Sequence, residues 1–285
     1  MSTLQHGQAF APPSDNVRQF EFGANWKSFS KHSLTVAAID EARRDFVNLM
    51  SGIELRSKSF LDIGCGAGLS LLIAASLGAN VIGCDVDPLC AEILQHNRNR
   101  YFPALAAAAV PVIIGSILDE PMIDRLRLLS PSKVTHGYDV VHAWGSLHHT
   151  GDMEKGIRAA GSLVVPGGYL ILAIYSRHWS SKMWRSIKRF YNRSHRVAQR
   201  AIVALLWPLI FLAKLIVTRR NPLRQTRGMN FHHDVVDWIG GYPYEFATPA
   251  EIRELLQPLG FSLIRIIPAT VPTGCNQFVF QHRHQ

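Results

Sequence analysis

The chain has 285 residues, 47% hydrophobic and 18% charged, enough for one large core with room for an insertion. Its start, MSTLQHGQAFAPPSDN, lacks an apolar stretch behind a basic head, so no secretory leader is expected; the four cysteines (Cys65, Cys84, Cys90, Cys275) show neither a CxxC pair nor zinc spacing, which fits free thiols in a reducing cytoplasm. The net charge of +9 is concentrated in 177–227, with 13 Lys or Arg and no Asp or Glu, so the remaining 17 basic and 21 acidic residues leave −4 elsewhere, and the block suits an anionic partner such as a membrane surface, a nucleic acid or an acidic substrate.

In chain order, residues 1–20 read as a loose arm, and FEFGANWKSFSKH (20–32) as an aromatic segment that packs on something. Residues 35–50 fit an amphipathic helix. Strands are expected at 59–63, 80–87, 110–117, 138–145 and 167–176. Helices follow the first four of them at 70–77, 89–100, 124–129 and 153–163. This alternation argues for βαβ units and a parallel sheet. It stops for about seventy residues and resumes with TPAEIRELLQPLG, a helix with Thr248 as N-cap and Pro249 in its first turn. Strands at 261–269 and 276–282 close the chain. The expected divisions are an arm and helix at 1–50, a core at 51–175, a basic helical cap at 176–245 and the rest of the sheet at 246–285.

LDIGCGAGLS (61–70) falls where the first strand turns into a helix. Glycines there let the backbone approach a ligand closely, and the helix start offers N–H groups. The spacing is GxGxG, not the dinucleotide GxGxxG. Asp62 precedes it, and Asp85 ends the next strand seventeen positions after Gly68. A carboxylate at that strand end can accept from both hydroxyls of a ribose; its other role is a plain strand-end acid or helix cap.

This pattern resembles motif I of the class I S-adenosylmethionine (SAM) methyltransferases. GSILD (115–119), YDVVHAWGSLHHTGDM (138–153) and LVVPGGYLILAIY extend the likeness across 59–175 and the last two strands. The resemblance implies a doubly wound, Rossmann-like α/β fold with seven strands and an α-helical insertion between strands 5 and 6. It implies SAM as cofactor, held by Asp62, Gly64, Cys65, Gly66, Gly68, Asp85, Ser116, Ile117 and Ala143. Asp62 would act indirectly, orienting the loop and the cofactor's amino group. Ser116 stands where many members carry Asp, so adenine contact would come from its hydroxyl or from backbone N–H groups.

No Asn/Asp-Pro-Pro-Tyr/Phe motif follows the fourth strand and no cysteine lies in a Pro-Cys context. The LHH version is similar to enzymes acting on oxygen or carbon of small molecules, such as the quinone-biosynthesis methyltransferases. The expected acceptor is small, lipidic or quinone-like. An RNA methyltransferase using the basic insertion and a non-catalytic SAM-binding protein are the alternatives. His148 and His149 are candidate bases, since a neutral imidazole can take a hydroxyl proton near pH 7; packing and turn capping are the other reading. RGMNFHHDVVDWIGGYPYEFATP (227–249) adds His232 as a third catalytic candidate and His233, Asp234, Tyr242 and Tyr244 as acceptor wall. Phe22 and Trp26 would form a lid. Without a second matched ligand spacing, no metal is expected.

AIVALLWPLIFLAKLIV (201–217) is short of the ~20 apolar residues of a span, Pro208 interrupts it, and the last strands must rejoin the same sheet. Two readings remain. One is a buried cap helix or dimer contact. The other is a helix lying in a membrane interface, with Arg196, Arg200 and Lys214 on one stripe. The expected location is cytoplasmic, peripheral at the inner face of a membrane if 177–227 meets anionic lipid. Nucleic acid is the weaker partner, since cations alone give only sequence-independent affinity.

Overall fold

The structure, a computed structural model, describes residues 20–131, 136–219, 221–223 and 231–284. The expected arm therefore lies almost wholly outside the described residues. Two helices, α1 (Phe22–His32) and α2 (Val36–Leu49), precede β1 (Ser59–Ile63). There follow α3 (Leu69–Ser76), β2 (Asn80–Asp85), α4 (Leu89–Tyr101), β3 (Val112–Ile114), α5 (Glu120–Leu129), β4 (Tyr138–Trp144), α6 (Met153–Ser162) and β5 (Val164–Tyr175). Three helices, α7 (Ser181–Arg193), α8 (Arg196–Thr218) and α9 (Phe231–Gly240), separate β5 from α10 (Pro249–Leu256), β6 (Phe261–Ile267) and β7 (Cys275–His282).

The seven strands form one sheet in the order β3-β2-β1-β4-β5-β7-β6. The first five run parallel, and β7 is antiparallel to both β5 and β6. This is the doubly wound α/β arrangement. Parallel strands covered on both faces read as continuous apolar runs, and β1 is buried at all five positions. One core packs Leu61, Val141 and Leu172 against α5, α6 and α10; the other packs Phe60, Val140 and Ile171 against α2, α3 and α4. The order reverses between β1 and β4, which opens a crevice at their carboxyl ends.

Local chemistry sets most boundaries. Thr35 caps α2, its hydroxyl accepting from Ala38 N–H at 3.2 Å. The capping box of α10 is complete: Thr248 and Glu251 each accept the other's N–H. Three expectations shift. Helix α5 starts at Glu120, four residues before the expected 124, because Pro121 suits a first helical turn. Strand β3 ends at Ile114, since Ser116 folds back on itself, its hydroxyl accepting from Leu118 N–H. Strand β5 begins at Val164 and carries Pro166-Gly167-Gly168 through a register shift opposite Tyr138 and Val140.

Helix α8 departs furthest. It runs 23 residues straight through Pro208 and by length and composition alone could cross a membrane. Its inner side, with Ile202, Leu206, Trp207 and Phe211, rests on Phe231, Val235 and Ile239 of α9. Yet none of its residues is buried. A ten-residue helix covers only one face of a longer one, so the reading as a buried cap helix is not met. Because α8 is continuous, Arg196, Arg200 and Lys214 do share one stripe, but Lys214 on it turns in to Asp234 at 2.9 Å, so this is not the outward face.

Candidate active site

The turn from β1 into α3 is a backbone cradle. Gly64, Gly66 and Gly68 have φ of 72°, 51° and 75°, a region costly for any other residue. A side chain at Gly66 would lie 3.2 Å from the Trp26 ring of α1, so this glycine also admits the helix above it. The half-buried Asp85 secures the turn, its carboxylate accepting from Gly66 N–H at 2.9 Å and Asp87 N–H at 3.0 Å. Burial raises the Asp85 carboxyl, and those N–H groups pull it back down.

Beneath the turn, Asp62 and His142 face each other in the β1–β4 register, with Asp62 Oδ1 and His142 Nδ1 2.7 Å apart. Both are buried, and the Phe46 and Phe60 rings flank the imidazole. Asp62 is thus an anchor of the strand under the loop. Asp62→Ala leaves His142 unpaired in the core, so a loss of about 1–3 kcal/mol in urea unfolding is expected.

The other cofactor-side candidates divide. Cys65 faces inward against Gly83, and burial, with Asp62 and Asp85 nearby, pushes its thiol well up. Only its backbone joins the turn. Ile117 and Ala143 are core residues, so any contact from them would be through the main chain. The strand end beyond Ala143 is more open: Gly145, at φ 79°, has empty space beside its Cα. Next to it Ser146 Oγ donates to the Ile63 carbonyl at 2.7 Å.

Across the crevice lies an aromatic chamber that its own side chains fill. The turn Leu147–His149 after β4 buries both imidazoles. His148 packs at a tilt on Tyr175 at the end of β5, ring centres 4.0 Å apart, and its Nδ1 is buried without a hydrogen-bond partner. Burial holds His148 well below the usual imidazole range, with His149 and Lys188 adding to it. His149 is pushed down to about 3 by burial, although its Nδ1 meets the Pro243 carbonyl at 2.7 Å. Into this chamber α7 delivers Lys188, which is fully buried. Its Nζ lies 4.1 Å from the centre of the Trp238 ring, 4.7 Å from Tyr244 and 5.8 Å from Tyr175, and donates to the Trp238 carbonyl. Burial lowers this amine to about 7, with Asp237 working against it. Asp237 in turn is raised to about 7 by burial.

Helix α1 roofs both halves. Gly23 N–H donates to Asp87 at 3.1 Å and Lys27 pairs with Glu92 at 2.9 Å on the glycine-turn side. Asn25 donates to Asp237 at 2.7 Å and Phe22 meets His149 at 4.8 Å on the chamber side. Trp26 therefore covers the glycine turn, not the chamber.

Of the 227–249 cluster, Trp238 and Tyr244 stand in the chamber wall. Tyr242 is buried and accepts from Phe20 N–H, tying down the segment ahead of α1. His233 packs between Phe29 and Ser28 of α1, and Asp234 holds α8. His232 is exposed, because consecutive helical residues point about 100° apart and its neighbour takes the inner face. It is not a catalytic residue of this chamber. Glu245 caps α6, accepting from Gly151 and Met153 N–H groups, and burial raises it to about 7. Among the described residues no three metal-ligating side chains converge.

Sequence reasoning missed Tyr175, Lys188 and His142. The first two come from a strand end and a separate helix. Only for His142 was there a signal, a titratable residue inside a buried strand.

Residues 36–265 match a family model described as a methyltransferase domain. The chain is 25% identical over 185 residues to ubiquinone biosynthesis O-methyltransferase of Bordetella avium, spanning 63% of this chain and 70% of that protein. A stretch of 91 residues is 37% identical to ribosomal protein L11 methyltransferase of Paraburkholderia phymatum, spanning 29% of this chain and 30% of that one. Among solved structures, a SAM-dependent methyltransferase from Anabaena variabilis aligns with a TM-score of 0.56 at 13% identity, over 94% of this chain and 99% of that one. Magnesium protoporphyrin IX methyltransferase from Synechocystis with bound SAH aligns at 0.50 and 17% identity, over 87% and 84%. These two share the fold.

Proposed function

We proceed from the chain's membership of the class I SAM-dependent methyltransferases, and propose that it methylates an oxygen or carbon of a small, ring-bearing, quinone-like acceptor held in the aromatic chamber. SAM is the cofactor, and the glycine turn fits it: a side-chain-free backbone at Gly64, Gly66 and Gly68, with the Asp85 carboxylate opposite. SAM supplies an electrophilic methyl on a sulfonium sulfur, so the protein's task is to align the acceptor in line and exclude water.

One observation carries the acceptor reading: a buried amine, Lys188, enclosed by Tyr175, Trp238 and Tyr244 beside His148. Aromatic walls suit a flat ring, and they stand at the carboxyl ends of the central strands, across the crevice from the glycine turn. For an oxygen acceptor, its lone pair forms the new bond to carbon while the carbon–sulfur pair stays on sulfur. The O–H proton passes to Lys188 Nζ, which burial keeps substantially unprotonated near pH 7. His148 is a weaker base, because its lowered basicity leaves little drive for the transfer. Its unpaired Nδ1 instead accepts a hydrogen bond that orients the acceptor. The likeness to the Bordetella avium O-methyltransferase supports the same class.

Transfer of labelled methyl from SAM to a panel of catechols, hydroquinones and phenols tests the proposal. Product on a subset of the ring acceptors is expected. Labelling confined to protein or RNA sinks it.

A further inference from the structure

Helix α8 turns its outer face to no described element. Val197, Leu205, Leu209, Leu212 and Ile216 follow one another along that face at helical spacing. Leu205 is 69% exposed and Ile216 is 66% exposed. With Ala201 and Pro208 between them, the outward stripe carries no charge over the middle of the helix. At 1.5 Å per residue, 23 residues give a rod of roughly 35 Å. Its ends are cationic: Arg193, Arg196 and Arg200 are exposed at one end and Arg219 at the other. Residues 177–227 include no acid to neutralise them. Just before α7 and on it, Trp179 and Phe190 are exposed at 84% and 65%.

An apolar face of this size has three candidate occupants, and charge decides among them. A second copy laid antiparallel on α8 would press one cationic end against the other. Nucleic acid answers the cations but leaves the leucine stripe in water. A spanning helix would have to leave α9, breaking Lys214–Asp234 and the Trp207 and Phe211 contacts with Phe231. An anionic bilayer satisfies both features at once. We propose that α8 lies flat on an anionic lipid surface, with its outward stripe at the acyl–headgroup boundary and the flanking arginines on lipid phosphates. This stands apart from the identity of the methyl acceptor.

Flotation of the full chain tests it, using vesicles of phosphatidylcholine alone and of phosphatidylcholine with phosphatidylglycerol. The chain is expected to float with the anionic vesicles, and raised salt should weaken this. Leu205→Glu with Leu209→Glu should lower the partition at least about tenfold, as should Arg196→Gln with Arg200→Gln. SAM affinity, unchanged in both variants, reports folding. If the glutamate variant loses SAM affinity, the arginine variant and the salt series decide. No flotation at low salt, or flotation indifferent to both variants, overturns the proposal. So does membrane retention that survives alkaline extraction, or a dimer that the glutamate variant dissociates while vesicles are ignored. Retention of single-stranded RNA without vesicle binding overturns it as well.

Discussion

Lys188→Met is expected to lower kcat roughly 10²- to 10⁴-fold, the usual worth of a positioned proton acceptor, with SAM affinity unchanged. Methionine fills the same slot among Trp238, Tyr244 and Tyr175 but takes no proton. The wild-type rate should rise with pH through about 7, where burial places the amine, and the variant should lose that limb. The substitution should lower the rate but raise stability. The folded amine titrates near 7 and the unfolded one near its ordinary 10.5, so between these values the unfolded state binds more protons. Lys188 therefore costs stability increasingly as pH falls through that window, an effect Asp237 partly offsets. The variant should melt higher than the wild type, most clearly at the acidic end. A fall in rate with a rise in Tm separates a catalytic role from general damage. An unchanged pH profile would remove Lys188 from the chemistry.

Asp85→Ala is expected to weaken SAM binding roughly 10²-fold or more, because hydrogen bonds to a charged group each contribute about 1.5–3 kcal/mol. Two losses add here. The ribose hydroxyls lose their acceptor, and Gly66 N–H loses the partner that fixes the turn. Asp85→Asn keeps an oxygen for the turn and should fall between the two. Titration calorimetry measures both, with urea unfolding run alongside to confirm a folded protein. Undiminished affinity in the alanine variant would place the ribose elsewhere.

The two halves of the site were unequally legible for a physical reason. The cofactor side is built from one short turn and the end of the next strand, so its geometry is local. Three glycines at alternate positions and an acid at a fixed distance announce it. The chamber is built from residues that meet only after folding. Lys188 belongs to a run of cations that reads as a solvated face, and its burial follows from α7 packing under α9 and against Tyr175. His232 and His233 look equivalent in the sequence, yet helical rotation exposes one and buries the other. Glu245 becomes the cap of α6 only because the chain returns from the insertion beside that helix start.

Composition and spacing alone determined the alternating α/β order, the glycine turn with Asp85 and the concentration of cations in 177–227. Each rests on periodicity or on contacts between near neighbours, which a sequence records directly. Tertiary structure alone decided that Asp62 pairs with His142, that Lys188 lies inside an aromatic chamber, and that α8 keeps one face on α9 and leaves the other uncovered. Those outcomes depend on which distant surfaces meet, and burial of a charge or exposure of a leucine is a property of that meeting.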